Sequence, residues 1–424
     1  MVRDMDVLIA GGGVAGLEAL LGLREVAGER VQLTVVAPDP DFTYRPMAVA
    51  EPFAVGQARR VPLSDIAADA GAEVVIDAVV GVDDAAGQVR LASGGTRSFD
   101  ALLVAAGARA VQGVEGATTW WPGGDAEPFG GLLRDIEEGY SKRLAIVVPP
   151  GAVWPLPAYE LAIMTAGEAR ELGHDDVQIT VVTPERSALS VFGPDASAAA
   201  AEELERAGVR LVTGAVATRA AGGGLSLDPS GDRLDVQRVV AVPRLVGPAI
   251  EGLAADDEGF VLTGEDGRVQ GASRTWAAGD GIDSPLKFGA LATHQARVAI
   301  AGIARLAGVE DPPDPGEPVL EGRLLLGTRR TRRLRGDGDG EGAPLWWPQG
   351  KVAGAYLPRW LAEHGFAPPV LAVDAPDEGI EIRRPVRELA DEAQQLFDVR
   401  RRYRIADADL ASLGRQMRSM RRDR

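Results

Sequence analysis

Three glycines near the start of the chain have the spacing of a turn that binds the pyrophosphate of a dinucleotide. They are Gly11, Gly13 and Gly16, with Val14 and Ala15 between the last two. In such a turn the first glycine permits a tight bend, the second lets a phosphate approach the backbone, and the third lets a helix pack on a strand. The spacing therefore predicts dinucleotide binding, with these five residues in contact with the ligand.

The segments on either side of these glycines must position them. Residues 6–10 are a short apolar run of strand length, and the apolar residues of 17–23 have helical spacing. We therefore expect the phosphates at the N-terminus of this helix. Asp39, the nearest acid after a second strand at 33–37, is a candidate for binding the adenosine ribose. Pro38 is the alternative occupant of the end-of-strand position.

Two later segments, 99–108 and 275–280, are apolar strands that end in small or acidic residues, and a helix is predicted to begin near Gly289. Their candidate cofactor-binding residues lie at the strand ends and just before the helix: Ala105, Ala106, Gly107, Gly279, Asp280, Lys287, Phe288 and Gly289. By the family resemblance that these segments carry, they belong with the first turn to a single dinucleotide site.

In this order and spacing, the segments resemble those of the pyridine nucleotide–disulfide oxidoreductase superfamily, which are flavoproteins with two dinucleotide-binding domains. The resemblance implies an α/β fold with two Rossmann-like domains and a C-terminal α+β region. It implies FAD as the cofactor, with Asp280 on the ribityl chain and the helix from Gly289 directed at the flavin pyrimidine ring. A positive helix end there would stabilise the negative charge of a reduced flavin.

Three further segments make the chain similar to the branch that contains sulfide:quinone oxidoreductase, flavocytochrome c sulfide dehydrogenase and type II NADH dehydrogenase. They are an aromatic loop at 42–46, a proline-rich stretch at 149–160 and a tryptophan-containing stretch at 345–354. By this resemblance Arg45 and Pro46 join the candidate cofactor-binding residues. The implied partner is a small-molecule redox substrate, with a quinone as one candidate.

The resemblance also divides the chain into domains. An FAD-binding domain is expected in two parts, with a NAD(P)-like domain inserted between them and a C-terminal region after them. The expected segments are 1–110 (first FAD part), 111–243 (NAD(P)-like domain), 244–306 (second FAD part), 307–318 (linker), 319–373 (C-terminal sheet region) and 374–424 (basic helical tail).

The inserted domain departs from the nucleotide-binding pattern. By register with its relatives, Val153, Pro155 and Ala158 hold the three glycine positions. Proline removes a backbone N–H, and side chains prevent the close approach of a phosphate. No acid ends the strand at 177–182. NAD(P)H binding in the usual manner is therefore not expected.

The chain contains no cysteine. The first redox cysteine of the sulfide-oxidising relatives would fall near 153–155, so a dithiol or polysulfide relay within this chain is excluded. What remains is flavin chemistry through N5, with the protein supplying position and electrostatics. Trp154 and Tyr159 are candidates for walling the flavin face in place of the thiol, or for core packing. With no thiolate and only three histidines, a metal site is not expected.

Three side chains are candidates for catalysis. A cation at Lys287 would raise the flavin potential or donate a hydrogen bond to a quinone oxygen, and the alternative is a surface lysine. His294, on the helix from Gly289, could donate a proton to a quinone, and the alternative is a histidine held by structural contacts. Glu160 aligns with a glutamate of the NADH dehydrogenase branch.

Charge and hydropathy limit the partners. The formal net charge of −17 argues against nucleic-acid binding. No apolar run is long enough to span a membrane. We therefore expect a cytoplasmic protein, with peripheral attachment to a membrane as an open alternative. The arginine-rich residues 386–424 predict a basic amphipathic helix, which could contact an anionic membrane, the acidic body of the protein or a second copy in a homodimer. The charged segment 329–341 is predicted to be a hairpin tip.

The sequence thus predicts an FAD-dependent oxidoreductase that passes electrons or hydride through flavin N5 without a redox dithiol. Two alternatives stay open. One is an NAD(P)H-dependent flavin enzyme that uses the degenerate inserted domain. The other is a non-catalytic, flavin-carrying electron-transfer or interaction subunit.

Overall fold

The structure is a computed structural model, and it describes eight ranges of the chain: 4–53, 58–124, 127–151, 154–326, 331–335, 354–366, 384–385 and 390–402. Four predictions fall wholly or partly outside these ranges. They concern Val153, most of the stretch at 345–354, residues 329–330 and 336–341 of the predicted hairpin tip, and residues 386–389 and 403–424 of the predicted tail.

The described residues form 23 strands. In chain order they are β1 Met5–Ala10, β2 Val31–Ala37, β3 Asp41–Thr43, β4 Arg60–Pro62, β5 Glu73–Ile76, β6 Val79–Asp83, β7 Gln88–Leu91, β8 Thr96–Ser98, β9 Ala101–Val104, β10 Arg109–Val111, β11 Thr118–Thr119, β12 Arg143–Val147, β13 Gln178–Val182, β14 Arg210–Val212, β15 Val216–Ala221, β16 Gly224–Asp228, β17 Arg233–Asp235, β18 Arg238–Ala241, β19 Arg244–Val246, β20 Thr275–Ala277, β21 Val319–Leu325, β22 Thr331–Arg335 and β23 Arg384–Pro385.

The described residues also form eight α-helices, with short 3₁₀ segments at Gly28–Arg30, Arg45–Phe53 and Ser190–Phe192. The α-helices are α1 Val14–Ala27, α2 Leu63–Asp69, α3 Glu127–Glu137, α4 Leu156–Glu171, α5 Pro194–Arg206, α6 Gly289–Leu306, α7 Leu357–Glu363 and α8 Ala390–Arg402.

The first large sheet is parallel and has the strand order β20–β9–β1–β2–β5. Its central strands are apolar runs, and every residue of β9 is buried, as expected for a parallel sheet covered on both faces. Strand β20 belongs to this sheet although the whole second large sheet lies between it and β9 in the sequence. Helices α1 and α6 pack against each other beside it. Their approach is so close that a Cβ on Gly22 would lie 2.5 Å from Cδ1 of Ile300.

The second large sheet is also parallel, with the order β11–β18–β12–β13–β14. Helix α4 packs on β12 and β13, and α5 packs on α4. Each large sheet is accompanied by a three-stranded antiparallel sheet, β6–β7–β8 for the first and β15–β16–β17 for the second. The two halves of the molecule therefore repeat one arrangement.

The chain passes between the two halves twice, and the two crossings lie side by side. Strand β10, which follows β9, pairs antiparallel with β19, which follows β18, so that Arg109 lies opposite Val246. This pairing joins the halves at the point where the inserted segment leaves and re-enters the first half.

The described C-terminal residues form a small antiparallel sheet in the order β22–β21–β23. The prediction of a hairpin tip over 329–341 is wrong for residues 331–335, which are strand β22. Main-chain pairing with β21 does not depend on side-chain charge, so an arginine-rich segment can form a strand. Helix α7 packs on α1, and α8 contacts Ser190–Phe192. Among the described residues, no helix combines the length and apolar character needed to cross a bilayer.

Candidate functional site

The turn between β1 and α1 is shaped by its three glycines in different ways. Gly11 has φ +131°, and a Cβ there would lie 2.1 Å from the carbonyl oxygen of Ala105. A Cβ on Gly16 would lie 2.0 Å from the carbonyl oxygen of Gly11. At Gly13, by contrast, a Cβ would meet nothing within 4 Å. The first and third glycines are thus required by packing, while the second faces open space that a ligand can enter.

Two further strand ends meet this turn. The backbone N–H of Ala105 donates to the carbonyl of Ala10, 2.8 Å away, at the end of β1. Gly279, after β20, has φ +84°, and a Cβ there would lie 3.1 Å from Cβ of Ala15. A Cβ on Gly281, two residues further along the chain, would lie 2.9 Å from the carbonyl oxygen of Gly107. The three segments predicted to share one site are therefore adjacent.

Two helices begin at this edge of the first sheet. Helix α1 starts after Gly13 and α6 starts after Phe288, and neither has a side-chain cap or an acidic residue in its first turn. The N-terminal N–H groups of an α-helix have no partner within the helix, and the positive end of its dipole attracts anions. Both helix ends can therefore receive negatively charged groups of a dinucleotide.

Two cations act on the carboxylate of Asp280. Its carboxylate interacts electrostatically with Lys287 and, more weakly, with Arg45. Burial raises the pKa of Asp280 above its usual value, and the two cations oppose that rise. Arg45 itself is exposed at the start of a 3₁₀ helix, and the side chain of Pro46 lies outside the described part of the structure.

Lys287 is not a surface lysine, because only 3% of it is exposed. Its Nζ donates to the carbonyl of Ile282 and lies 4.3 Å from the ring centroid of Phe260. A cation over an aromatic face is attracted by the negative face of the ring. The resemblance to the quinone-reducing branch indicated Lys287, but no motif marked Phe260.

Gln295 is a second residue of the site that the sequence did not indicate. Its Oε1 accepts a hydrogen bond from the backbone N–H of Gly279, 2.9 Å away. Gln295 belongs to α6, so this bond fixes the Gly279–Asp280 turn relative to the helix that starts at Gly289. Glutamine at this position could have been found only by knowing that the turn and the second turn of α6 are adjacent.

Two of the proposed catalytic side chains contact the C-terminal segments. His294 is buried, and its Nε2 lies 2.8 Å from the carbonyl oxygen of Gly316 in the predicted linker. Burial lowers the pKa of His294, which favours the neutral ring. Glu160 is fully buried, and its Oε1 accepts from the backbone N–H of Leu325 in β21, 2.9 Å away. These contacts position the C-terminal sheet, and catalytic roles for the two residues stay predictions.

The remaining candidates vary in exposure. Asp39 is exposed two residues after β2 ends, with Pro38 directly after the strand, and Ala106 is exposed beside the glycine turn. Phe288 is buried at the N-terminus of α6, where its ring makes an edge-on contact with Phe192, with 5.4 Å between centroids. A contact of Asp39 with the ribose stays a prediction.

In the second half, the helix that corresponds to α1 lacks the donors of an anion site. Helix α4 begins after Pro155 and has Pro157 at its second position. Neither proline carries an N–H. The N–H of Ala158 already donates to the carbonyl of Pro155, 3.0 Å away. The N-terminus of α4 is therefore much poorer in free N–H donors than that of α1.

The acid nearest the end of β13 points into the protein. Glu185 is fully buried, and its Oε2 accepts from the hydroxyls of Tyr159, 2.6 Å away, and Thr183, 2.9 Å away. Burial raises the pKa of Glu185 to about 7, and these hydroxyls oppose the rise only in part. Tyr159 thus packs in the core of the second half, which was the alternative to a place beside the flavin.

Replacing Glu185 with Gln tests whether burial raises the pKa of the Glu185 carboxyl. Because the folded-state pKa of about 7 lies above the ordinary glutamate pKa of 4.5, protonation stabilises the folded state. That contribution is fully present below pH ~4.5, lost as the pH rises through about 7, and on the order of 3 kcal/mol in total. Gln mimics the neutral acid. The free energy of unfolding of the wild type should therefore fall relative to Glu185→Gln between these pH values, in denaturant titrations at several pH values.

An exposed glutamate on α5, Glu205, provides the control for that experiment. The Glu205→Gln variant should follow the wild type across the same pH range. A constant difference in unfolding free energy between the wild type and Glu185→Gln from pH 4.5 to 8 would show that Glu185 does not titrate in this range.

Comparison with known proteins identifies the family of this fold and site. The family model described as pyridine nucleotide-disulphide oxidoreductase matches residues 5–301. The chain belongs to this pyridine nucleotide-disulphide oxidoreductase family. The match includes the glycine turn, the strand before Gly107, the Gly279–Asp280 turn and most of α6. It confirms the predicted superfamily, the fold class and the assignment of the chain as an oxidoreductase of a flavoprotein family.

Three solved structures show the same fold. A sulfide:quinone oxidoreductase from Aquifex aeolicus is 19% identical with a TM-score of 0.66, covering 76% of this chain and 82% of that one. A ferredoxin reductase from Rhodopseudomonas palustris is 22% identical with a TM-score of 0.57, covering 75% of this chain and 80% of that one. An NAD-dependent persulfide reductase from A. fulgidus is 19% identical with a TM-score of 0.54, covering 75% of this chain and 62% of that one. Because all three identities are low, these structures show that this chain shares their fold, which is that of the pyridine nucleotide-disulphide oxidoreductase family.

Proposed function

We propose that this chain is an FAD-dependent oxidoreductase that passes electrons to a quinone or another small-molecule acceptor without a redox dithiol. The observation that carries the proposal is the meeting of three strand ends at the glycine turn, where Gly13 faces open space and where the charges of Lys287 and Arg45 act on Asp280. The chain has no cysteine that could relay electrons.

The residues present fit a bound FAD. A pyrophosphate needs close backbone approach and N–H donors, which Gly13 and the start of α1 offer. When bound, FAD supplies hydride or electron transfer through N5. Asp280 would accept hydrogen bonds from ribityl hydroxyls, and the charges of Lys287 and Arg45 oppose the rise in its pKa that burial causes. Lys287 and the N-terminus of α6 would provide positive charge where the reduced ring system is negative.

The electron donor is proposed to be something other than a nicotinamide. The start of α4 lacks N–H donors at Pro155 and Pro157, and Glu185 is turned toward Tyr159 and Thr183 instead of the surface. The alternative, an NAD(P)H-dependent enzyme, is favoured by the parallel sheet of the second half and by the family's description. The persulfide reductase of similar fold is described as NAD-dependent.

One anaerobic experiment distinguishes the proposed quinone-reducing enzyme from the NAD(P)H-dependent enzyme and from a non-catalytic subunit. FAD-loaded protein is reduced photochemically and mixed with a water-soluble quinone, and we expect the absorption of oxidised flavin to return rapidly. Oxidised protein mixed with NADH, NADPH or sulfide should keep its absorption over the same time. Free FAD at the same concentration measures the background reaction with quinone.

Each other outcome decides against the proposal. Rapid bleaching by NADH or NADPH would establish the nicotinamide-dependent alternative. Reoxidation by quinone no faster than that of free FAD, with full FAD occupancy and no reduction by any donor, would support a non-catalytic flavin-carrying subunit.

A quinone acceptor would bring a cytoplasmic protein to a membrane surface. The arginine-rich segment 386–424 is the proposed contact, and its described part is helix α8. Deleting 386–424 should reduce co-sedimentation with anionic liposomes, and unchanged sedimentation would remove the membrane role in favour of packing on the acidic body or a homodimer contact.

A further inference from the structure

Phe260 lies in a loop before β20 that carries no recognisable sequence motif. It is 1% exposed, and its ring centroid lies 4.3 Å from Nζ of Lys287. We infer that Phe260 is a positioning residue that holds the Lys287 ammonium beside the flavin, an inference that rests on the proposed function.

The backbone around Phe260 is fixed to the Gly279–Asp280 turn. Its N–H donates to Oδ1 of Asp256, and its carbonyl accepts from the N–H of Asp256, both at 2.9 Å. The next residue, Val261, donates to the carbonyl of Gly281 at 2.9 Å and accepts from the N–H of Asp283 at 3.0 Å. The ring of Phe260 is therefore placed by the same hydrogen bonds that flank Asp280.

Lys287 needs such a partner because its ammonium is taken out of water. A buried ammonium is unfavourable unless its lost hydration is replaced. The carbonyl of Ile282 accepts one hydrogen bond from Nζ, and Asp280 supplies one negative charge. The face of the Phe260 ring adds attraction from another direction.

The Phe260 ring stabilises the Lys287 ammonium without neutralising its charge, which a second carboxylate beside Asp280 would do. A carboxylate at the position of Phe260 would cancel the charge of the lysine, whereas the ring stabilises the cation and carries no net charge. The positive charge of Lys287 therefore remains available to stabilise the negative charge of a reduced flavin. Loss of the ring should weaken this effect by making the ammonium less favourable or less ordered.

The test is a double-mutant cycle read out by the midpoint potential of bound FAD, measured by equilibration with a reference dye. Phe260→Leu should shift the potential to a more negative value, by at least half of the shift caused by Lys287→Met. In the Lys287→Met background, Phe260→Leu should cause no further shift. Phe129→Leu, which removes another ring that is 1% exposed but faces Phe53, should leave the potential unchanged.

A second variant, Phe260→Met, has a longer and more flexible side chain without a ring, which can adapt to the space left by phenylalanine, and should reproduce the shift if Phe260→Leu does not fold. An unchanged potential in Phe260→Leu or Phe260→Met would overturn the inference. A shift that persists in the Lys287→Met background would assign the effect to packing, and no shift in Lys287→Met itself would remove the role of the lysine. Each of these results is obtained with protein that binds FAD, so it would overturn the inference and leave the proposed FAD binding intact. A wild-type protein that binds no FAD would overturn the proposed function as well.

Discussion

A Gly13→Val variant is expected to lose FAD affinity by about 100-fold or more, which corresponds to about 3 kcal/mol, while its apoprotein stays folded. Gly13 has φ −89° and ψ −172°, a conformation that valine adopts readily. A Cβ there meets no protein atom within 4 Å. The new side chain would occupy the space through which a pyrophosphate must approach the backbone. FAD titration followed by fluorescence quenching measures the affinity, and thermal unfolding of the apoprotein measures the fold.

Gly167→Val is the matched control. Gly167 lies in α4, and a Cβ there also meets nothing within 4 Å. The intrinsic helix propensities of Gly and Val differ little, so this variant should bind FAD as the wild type does. Wild-type affinity in Gly13→Val would contradict the placement of the pyrophosphate at this turn.

Glu18→Ala is expected to give the largest loss of stability among the substitutions considered. Glu18 is fully buried within α1, and its carboxylate accepts from the backbone N–H groups of Ala355 at 2.6 Å, Tyr356 at 3.1 Å and Leu357 at 2.7 Å. Burial raises the pKa of Glu18, and the three hydrogen bonds oppose that rise. Alanine would leave three N–H groups without their acceptor, at a cost of roughly 3–5 kcal/mol.

The loss should be concentrated where α7 docks on α1. Amide hydrogen exchange of residues 354–366 should become much faster in Glu18→Ala, because the segment loses its attachment to the first half. Glu25→Ala is the control, since Glu25 lies on the same helix and pairs with Arg359 of the same docked segment while 54% of its side chain is exposed. An exposed pair contributes little. Equal exchange in the two variants would show that the buried carboxylate does not hold this segment.

Local signals made the cofactor half of the site predictable. The spacing of Gly11, Gly13 and Gly16 between a strand and a helix specifies the turn, because each position has its own steric requirement. Asp280 and Lys287 were indicated by the resemblance of their segments to those of the pyridine nucleotide–disulfide oxidoreductase superfamily. The degenerate start of α4 was also visible in the sequence, although the second proline, Pro157, became meaningful only when the helix boundary was known.

The residues that the sequence did not indicate have partners far away along the chain. The carboxylate of Glu18 accepts hydrogen bonds from the backbone N–H groups of residues 355–357. Phe260 and Gln295 act on the Gly279–Asp280 region through contacts that only the folded chain creates. Such contacts leave no periodicity or spacing in the sequence, and a buried carboxylate within a helix resembles an exposed one until its surroundings are known.

Binding of FAD at the turn formed by Gly11, Gly13 and Gly16 is measured by the FAD content of the purified protein after reconstitution. The protein is incubated with excess FAD, freed of unbound cofactor by gel filtration, and denatured so that the released flavin can be quantified against protein. We expect equimolar FAD in the wild type and little or none in Gly13→Val. A wild-type protein that retains no FAD, or a Gly13→Val variant that retains as much as the wild type, would contradict this expectation.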